Sequence, residues 1–291
     1  MSGGEADPAI AGPLLQLGGH GPPLHFACAN GFPPEVYLDT LARLCEGFRV
    51  VSLPPRALWP GIGPPPRTSG TWEGVGADLA HGLATHGLAP VLGVGHSFGA
   101  VATLLAAARA PHLFRGLVLL DPTISEPAVM TRLAMLRAGG EDFRSSLVQG
   151  ALKRRVHFGT PDEAFAYWRE KELFRDWSDR TLGQYVDATL MPPAEGDGWT
   201  LRWSPQWEAW YYRSYHTDTW AALGRIPAEL PALVVRGATS DTFLPTAENH
   251  FRSVRPATSF VEVEGYGHLF PMAVPEATAA IVQQWATEIR I

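Results

Sequence analysis

The chain has 291 residues, of which 46% are hydrophobic and 18% charged, and its formal net charge is −6. This composition is typical of a globular protein with a large buried core and excludes a disordered chain. The acidic balance, without a basic patch, argues against nucleic-acid binding, and no apolar run approaches the roughly 18 residues of a membrane-spanning helix. Because the first residues are polar and acidic rather than a secretory signal, we expect a cytoplasmic protein.

Continuous apolar runs predict strands that are buried on both faces, as in a parallel sheet covered by helices. Such runs lie at 24–29, 48–53, 91–94, 116–120, 232–235 and 259–263, and residues 11–19 are expected to add an edge strand. Between these runs, and after the last of them, apolar residues recur at helical spacing. These helical patterns lie at 37–48, 75–83, 98–110 and 277–289. The sequence therefore predicts an α/β fold with a mainly parallel central sheet and helices on both faces.

Two segments interrupt this alternation of strands and helices. Residues 54–66 contain six prolines and predict an irregular loop. Residues 123–227 are far too long for a loop and hold seven of the ten tryptophans. We interpret 123–227 as an inserted, mostly helical cap, with residues 1–122 and 228–291 forming the core domain.

A short motif at the predicted 91–94 strand carries the main functional information. Gly95-His96-Ser97-Phe98-Gly99 stands between this strand and the predicted 98–110 helix. A chain that passes directly from a strand into a helix makes a sharp turn, which holds the serine in a strained backbone conformation. The residues on either side of the serine come so close to neighbouring backbone atoms that glycine is favoured there. The motif predicts a nucleophilic hydroxyl on Ser97, presented at the tip of this turn.

An activated serine needs a base, and the base needs a group that orients it. His268 lies in a glycine-flanked loop after the 259–263 strand and is the candidate base. Asp241 follows the 232–235 strand and Asp121 follows the 116–120 strand, so both carboxylates are expected at the same edge of the sheet. Either acid could reach the histidine.

Two backbone N–H groups are needed to stabilise the oxyanion of acyl transfer. Phe98, directly after the serine, is expected to supply one of them. The other is assigned to Phe32 in Ala29-Asn30-Gly31-Phe32-Pro33, where Gly31 allows the backbone to turn after the 24–29 strand.

These motifs resemble those of the α/β-hydrolase superfamily of the serine type, and the resemblance extends over 20–122 and 228–291. Gly95-His96-Ser97-Phe98-Gly99 resembles the nucleophile motif, and Gly267-His268 the base motif. The 29–33 turn is similar to the oxyanion turn, with Asn30 where histidine is usual. The resemblance implies the α/β-hydrolase fold and favours Asp241 as the acid, because its strand is the usual origin of that residue. Asp121 would then orient the start of the cap.

The resemblance implies a serine hydrolase that cleaves a small-molecule carboxylic ester through an acyl-enzyme, without a metal or an organic cofactor. The many aromatic residues of 123–227 indicate an apolar or aromatic acyl group. Thioesterase, carbon–carbon bond hydrolase and cofactor-free perhydrolase or haloperoxidase-like activities use the same triad and remain alternatives. A ligand sensor with slow turnover is the non-enzymatic alternative. The sequence does not define the oligomeric state.

Overall fold

A computed structural model describes residues 11–66, 72–139 and 145–291. The strands are β1 (Leu15–Gly18), β2 (Pro23–Ala27), β3 (Arg49–Ser52), β4 (Val91–His96), β5 (Phe114–Leu120), β6 (His157–Phe158), β7 (Leu190–Met191), β8 (Trp199–Leu201), β9 (Ala232–Gly237) and β10 (Ser259–Val263). The helices are α1 (Leu38–Leu44), α2 (Trp72–Thr85), α3 (Phe98–Arg109), α4 (Pro127–Ala138), α5 (Ser145–Leu152), α6 (Pro161–Arg169), α7 (Asp179–Thr189), α8 (Pro205–Arg213), α9 (Thr219–Arg225), α10 (Pro245–Val254), α11 (Phe270–Ala273) and α12 (Pro275–Glu288). In the described ranges, no helix combines the length and apolar character needed to cross a membrane.

The central sheet has seven strands in the order β1-β3-β2-β4-β5-β9-β10. β1 pairs with β3 antiparallel, and the other pairs are parallel. The predicted α/β class and the predicted edge strand are therefore confirmed. Because parallel strands end on the same side, the carboxyl ends of β2, β4, β5, β9 and β10 meet at one edge, where such folds carry their sites.

The core is formed by the sheet and the helices that cover it. β4 is buried at every position, and so is β9. α3 is buried along most of its length, since its small side chains let it approach the sheet closely. The last strand, β10, is mostly exposed, because it lies at the edge of the sheet and has only one neighbouring strand.

The segment between β5 and β9 contains helices α4 to α9. It also contains a three-stranded antiparallel sheet in the order β6-β8-β7, which the sequence analysis did not predict. These strands have two or three residues each, too few to give an apolar alternation.

The buried histidine of β2 makes the stability of the fold sensitive to acid. His25 is completely buried, its Nε2 accepts the backbone N–H of Leu53 at 3.0 Å, and burial lowers its pKa from 6.5 to about 3. Below pH 6.5 the unfolded chain binds a proton on His25 that the folded chain does not bind. The free energy of unfolding therefore falls as the pH drops from 6.5 towards 3, by about 1.4 kcal/mol per pH unit from this residue.

The substitution His25→Gln tests this linkage. The glutamine carbonyl keeps an acceptor for the Leu53 N–H but does not titrate. The free energy of unfolding is measured by urea denaturation between pH 7 and pH 5. In the variant it should fall less steeply with decreasing pH, because unfolding takes up about one proton fewer. Equal slopes in the two proteins would show that His25 is not the source.

Candidate active site

Ser97 occupies the turn between β4 and α3. Its backbone has φ 57° and ψ −117°, a strained conformation for a residue with a side chain, and its N–H donates to the Leu120 carbonyl at 2.9 Å. A β-carbon on Gly99 would lie closer than 3.0 Å to the Ala27 carbonyl of β2, and one on Gly95 would overlap the Gly99 carbonyl in the same way. The two glycines therefore provide the close approach that the motif predicts.

His268 lies in the loop between β10 and α11 and bonds to Ser97. Its Nε2 is 2.9 Å from Ser97 Oγ, and its Nδ1 is 2.7 Å from Asp121 Oδ2. A carboxylate only accepts hydrogen bonds, so Nδ1 carries the hydrogen and Nε2 is free to accept the serine proton. The three side chains form one continuous chain of hydrogen bonds from the carboxylate to the hydroxyl.

The acid beside His268 is Asp121, which corrects the expectation for Asp241. Asp241 is exposed, and its carboxylate accepts the Thr242 hydroxyl at 3.3 Å. β5 lies directly beside β4, so the residue after β5 emerges next to Ser97, whereas β9 is one strand further away.

The loop after β9 supports Asp121 instead of supplying the acid. Asp121 is completely buried with φ 41°, and Oδ1 accepts the Gly237 N–H at 3.0 Å. Its Oδ2 accepts the Ser240 hydroxyl at 2.5 Å as well as the His268 N–H. These donors hold the carboxylate in place and satisfy its charge in a buried position. Ser240 belongs to the site, but no local pattern distinguishes it from an ordinary loop serine in the sequence.

The two residues expected to stabilise an oxyanion lie at the ends of β2 and β4. Phe98 is the first residue of α3, so its N–H is among those that have no partner within the helix. The Phe32 N–H closes a turn by donating to the Ala29 carbonyl at 3.2 Å. In this structure Phe98 is thus available as a donor, whereas Phe32 is engaged in its own turn.

Asn30 connects the turn after β2 to the segment between β5 and β9. It is buried, and its Nδ2 donates to the Glu208 carbonyl of α8 at 3.1 Å. Beside it, Gly31 has φ 82°, which glycine adopts without strain, and a β-carbon there would contact the carboxylate of Glu208 and the guanidinium of Arg154.

Arg154 and Glu208 form an ion pair that covers this turn. Their side chains are 21% and 10% exposed, and Arg154 also donates to the Tyr185 hydroxyl at 2.7 Å. The pair links the chain just after α5 to α8 next to Gly31, and at this depth it is screened less by salt than an exposed pair. The pair could not be predicted from the sequence because 54 residues separate its members.

His96 joins three parts of the site through its two ring nitrogens. Nε2 is 2.9 Å from the His268 carbonyl, which can only accept, so Nε2 carries the hydrogen. Nδ1 therefore accepts the Tyr37 hydroxyl at 2.7 Å, and the Tyr37 oxygen accepts the Ala29 N–H at 3.3 Å. Burial and the neighbouring His268 hold the pKa of His96 well below its usual range, so it stays neutral and structural.

Thr123 is a further residue of the site that sequence reasoning missed. Its Oγ1 is 2.9 Å from Ser97 Oγ, on a turn that begins two residues earlier with Asp121. The only available signal was its closeness to Asp121 in the sequence. In the described part of the chain, no group of three histidine, cysteine, aspartate or glutamate residues could hold a metal ion.

Residues 18–281 match the sequence model that describes the alpha/beta hydrolase family. The chain therefore belongs to the alpha/beta hydrolase family, which is a family of enzymes. Comparison with curated protein sequences finds no match.

Solved structures of several hydrolases are similar to this chain. E-2-(acetamidomethylene)succinate hydrolase is 21% identical with a TM-score of 0.74, and the alignment covers 94% of each chain. The thioesterase domain from the curacin biosynthetic pathway is 18% identical with a TM-score of 0.69, over 93% of this chain and 94% of the other. A thermophilic esterase from Thermogutta terrifontis is 18% identical with a TM-score of 0.65, over 96% and 94%. At these sequence identities, the similarity shows a shared fold and does not by itself show a shared substrate.

Proposed function

We propose that this protein is a serine hydrolase that cleaves carboxylic esters through an acyl-enzyme intermediate. The observation that carries the proposal is the continuous hydrogen-bond chain from Asp121 through His268 to Ser97, with distances of 2.7 and 2.9 Å. Acyl transfer requires a nucleophile, a base that takes its proton, and an acid that orients the base, and this chain contains all three.

In the proposed reaction, Ser97 Oγ attacks the ester carbonyl while His268 Nε2 takes the serine proton. His268 then gives the proton to the leaving alcohol, and the acyl group stays on Ser97. A water molecule repeats the attack with His268 again as the base, which releases the acid and restores the serine. Asp121 keeps the histidine in the tautomer with hydrogen on Nδ1 and stabilises its positive charge after each proton transfer.

The Phe98 N–H is the first proposed donor to the oxyanion, because it follows Ser97 at the start of α3. The Phe32 N–H is the second. It donates to the Ala29 carbonyl at 3.2 Å, so in the proposal it turns from this oxygen, or is shared with it, when the tetrahedral oxyanion forms.

We also propose that residues 123–227 act as a cap over the core domain and help to form the acyl pocket. The Phe98 ring lies 4.7 Å from the Tyr211 ring, and the Phe32 ring lies 5.7 Å from the Tyr185 ring. Aromatic rings of this segment thus pack against the side chains of both proposed oxyanion donors. Such surroundings favour an apolar or aromatic acyl group.

Turnover of p-nitrophenyl esters of increasing acyl length tests the proposal, with Ser97→Ala as the control. We expect multiple turnovers with the wild-type protein, background rates with Ser97→Ala, and a preferred acyl length set by the pocket. Faster serine-dependent cleavage of matched thioesters would favour a thioesterase, and peracid formation with hydrogen peroxide a perhydrolase. A single slow turnover with retained product would favour a ligand sensor.

A further inference from the structure

Thr123 lies on a turn that contacts both ends of the Ser97–His268 pair. The turn leaves β5 at Leu120, whose carbonyl accepts the Ser97 N–H at 2.9 Å. Asp121 bonds to His268, and the Thr123 N–H returns to the Ser97 carbonyl at 3.4 Å. The Thr123 hydroxyl is 2.9 Å from Ser97 Oγ. Three residues of this short segment, Leu120, Asp121 and Thr123, therefore hold Ser97 and orient His268 together.

The direction of the Thr123–Ser97 hydrogen bond follows from the histidine tautomer. His268 Nδ1 carries its hydrogen towards Asp121, so Nε2 is an acceptor and the single proton of Ser97 points to it. Ser97 has no second proton to donate to Thr123. The Thr123 hydroxyl must therefore donate to Ser97 Oγ.

We propose that Thr123 is a catalytic residue that stabilises negative charge on Ser97 Oγ; this inference rests on the proposed serine hydrolase function. As His268 removes the serine proton, Oγ becomes more negative and accepts the Thr123 hydrogen bond more strongly, because hydrogen bonds to charged groups are stronger than neutral ones. When the second tetrahedral intermediate breaks down, Oγ leaves the carbon with similar charge. The bond is thus stronger in both transition states than in the resting enzyme or the acyl-enzyme, which is the condition for faster chemistry. Thr123 keeps its own proton throughout.

Tyr215, which like Thr123 belongs to the proposed cap, fixes the position of Thr123. The Thr123 carbonyl accepts the Tyr215 hydroxyl at 3.1 Å, and the Tyr215 ring lies 5.0 Å from the Trp72 ring. Trp72 in turn packs against Phe98 at 4.9 Å, next to the nucleophile. Thr123 is buried, so little water competes for its hydroxyl.

The substitution Thr123→Val removes the hydroxyl while keeping the shape of the side chain, and Thr123→Ser keeps the hydroxyl but removes the methyl group. Both are compared with the wild-type protein by ester turnover and by the rate constant for labelling of Ser97 with a fluorophosphonate. We expect Thr123→Val to lower kcat and the labelling rate by about tenfold to a hundredfold, the effect of one hydrogen bond to a charged group, with little change in KM. Thr123→Ser should stay within about threefold of the wild type, which would separate loss of the hydroxyl from a packing defect.

The proposal is overturned if Thr123→Val labels and turns over within about twofold of the wild type, or if Thr123→Ser is impaired as strongly as Thr123→Val. If Thr123→Val does not fold, as judged by its melting temperature, the result for Thr123→Ser decides, since the hydroxyl alone should maintain the rates. A wild-type protein that is not labelled at Ser97 would instead refute the serine hydrolase function itself. The two failures are therefore distinguishable.

Discussion

The substitution Asp121→Asn is expected to lower kcat by about four orders of magnitude. The asparagine would still fill the site, but its amide can rotate to present an N–H to His268 and stabilise the tautomer with hydrogen on Nε2. That tautomer cannot accept the proton of Ser97. The buried carboxylate charge that stabilises the imidazolium is also lost. The effect should appear in kcat rather than in KM, because the acid does not contact the substrate in the proposed reaction.

Asp241→Asn is the matched control, since it makes the same chemical change on the neighbouring loop. Asp241 is exposed and its carboxylate contacts Thr242, so we expect kcat within about twofold of the wild type. Ester turnover of the two variants under identical conditions compares the two acids directly. A large loss with Asp241→Asn and a small one with Asp121→Asn would mean that the acid is Asp241 after all.

The substitution Gly99→Ala is expected to prevent normal folding or to lower the free energy of unfolding by more than about 4 kcal/mol. A β-carbon at this position would overlap the backbone carbonyls of Ala27 and Cys28, which lie at the end of β2 and cannot rotate away. The start of α3 would have to move off the sheet, and Ser97 would move with it.

Gly183→Ala provides the control for this prediction. Gly183 lies within α7, and an added β-carbon there has no neighbour within 4 Å. Alanine favours a helix over glycine by up to about 1 kcal/mol, so this variant should be as stable as the wild type or slightly more stable. Urea denaturation, or the soluble yield if a variant does not fold, measures both. A Gly99→Ala protein with wild-type stability would show that the close approach of α3 to β2 is not required.

The sheet strands, α3 and the turn at Ser97 could be predicted because their signals are local. An apolar run, a serine between two glycines and an alanine-rich helix lie next to each other in the sequence. The loop histidine, His268, could be placed because it stands directly before the last helices. The structure puts it 2.9 Å from Ser97.

The choice between the two aspartates could not be made from local signals. Asp121 and Asp241 each follow a strand of the same parallel sheet. The order of the strands in the sheet, which decides which aspartate lies near Ser97, cannot be derived from the sequence alone. The positive φ of Asp121 and its bonds to Gly237 and Ser240 depend on contacts across more than a hundred residues. The contact of Thr123 with Ser97, across 26 residues, and the Arg154–Glu208 ion pair, across 54, also leave no local signal.

The measurement that tests the central proposal most directly is the site of fluorophosphonate labelling, mapped by peptide mass spectrometry while residual ester turnover is followed. We predict one label per chain, on the peptide that contains Ser97, with activity lost in proportion to labelling. Turnover that persists after Ser97 is fully labelled, or a label on another residue that alone abolishes activity, would contradict the account.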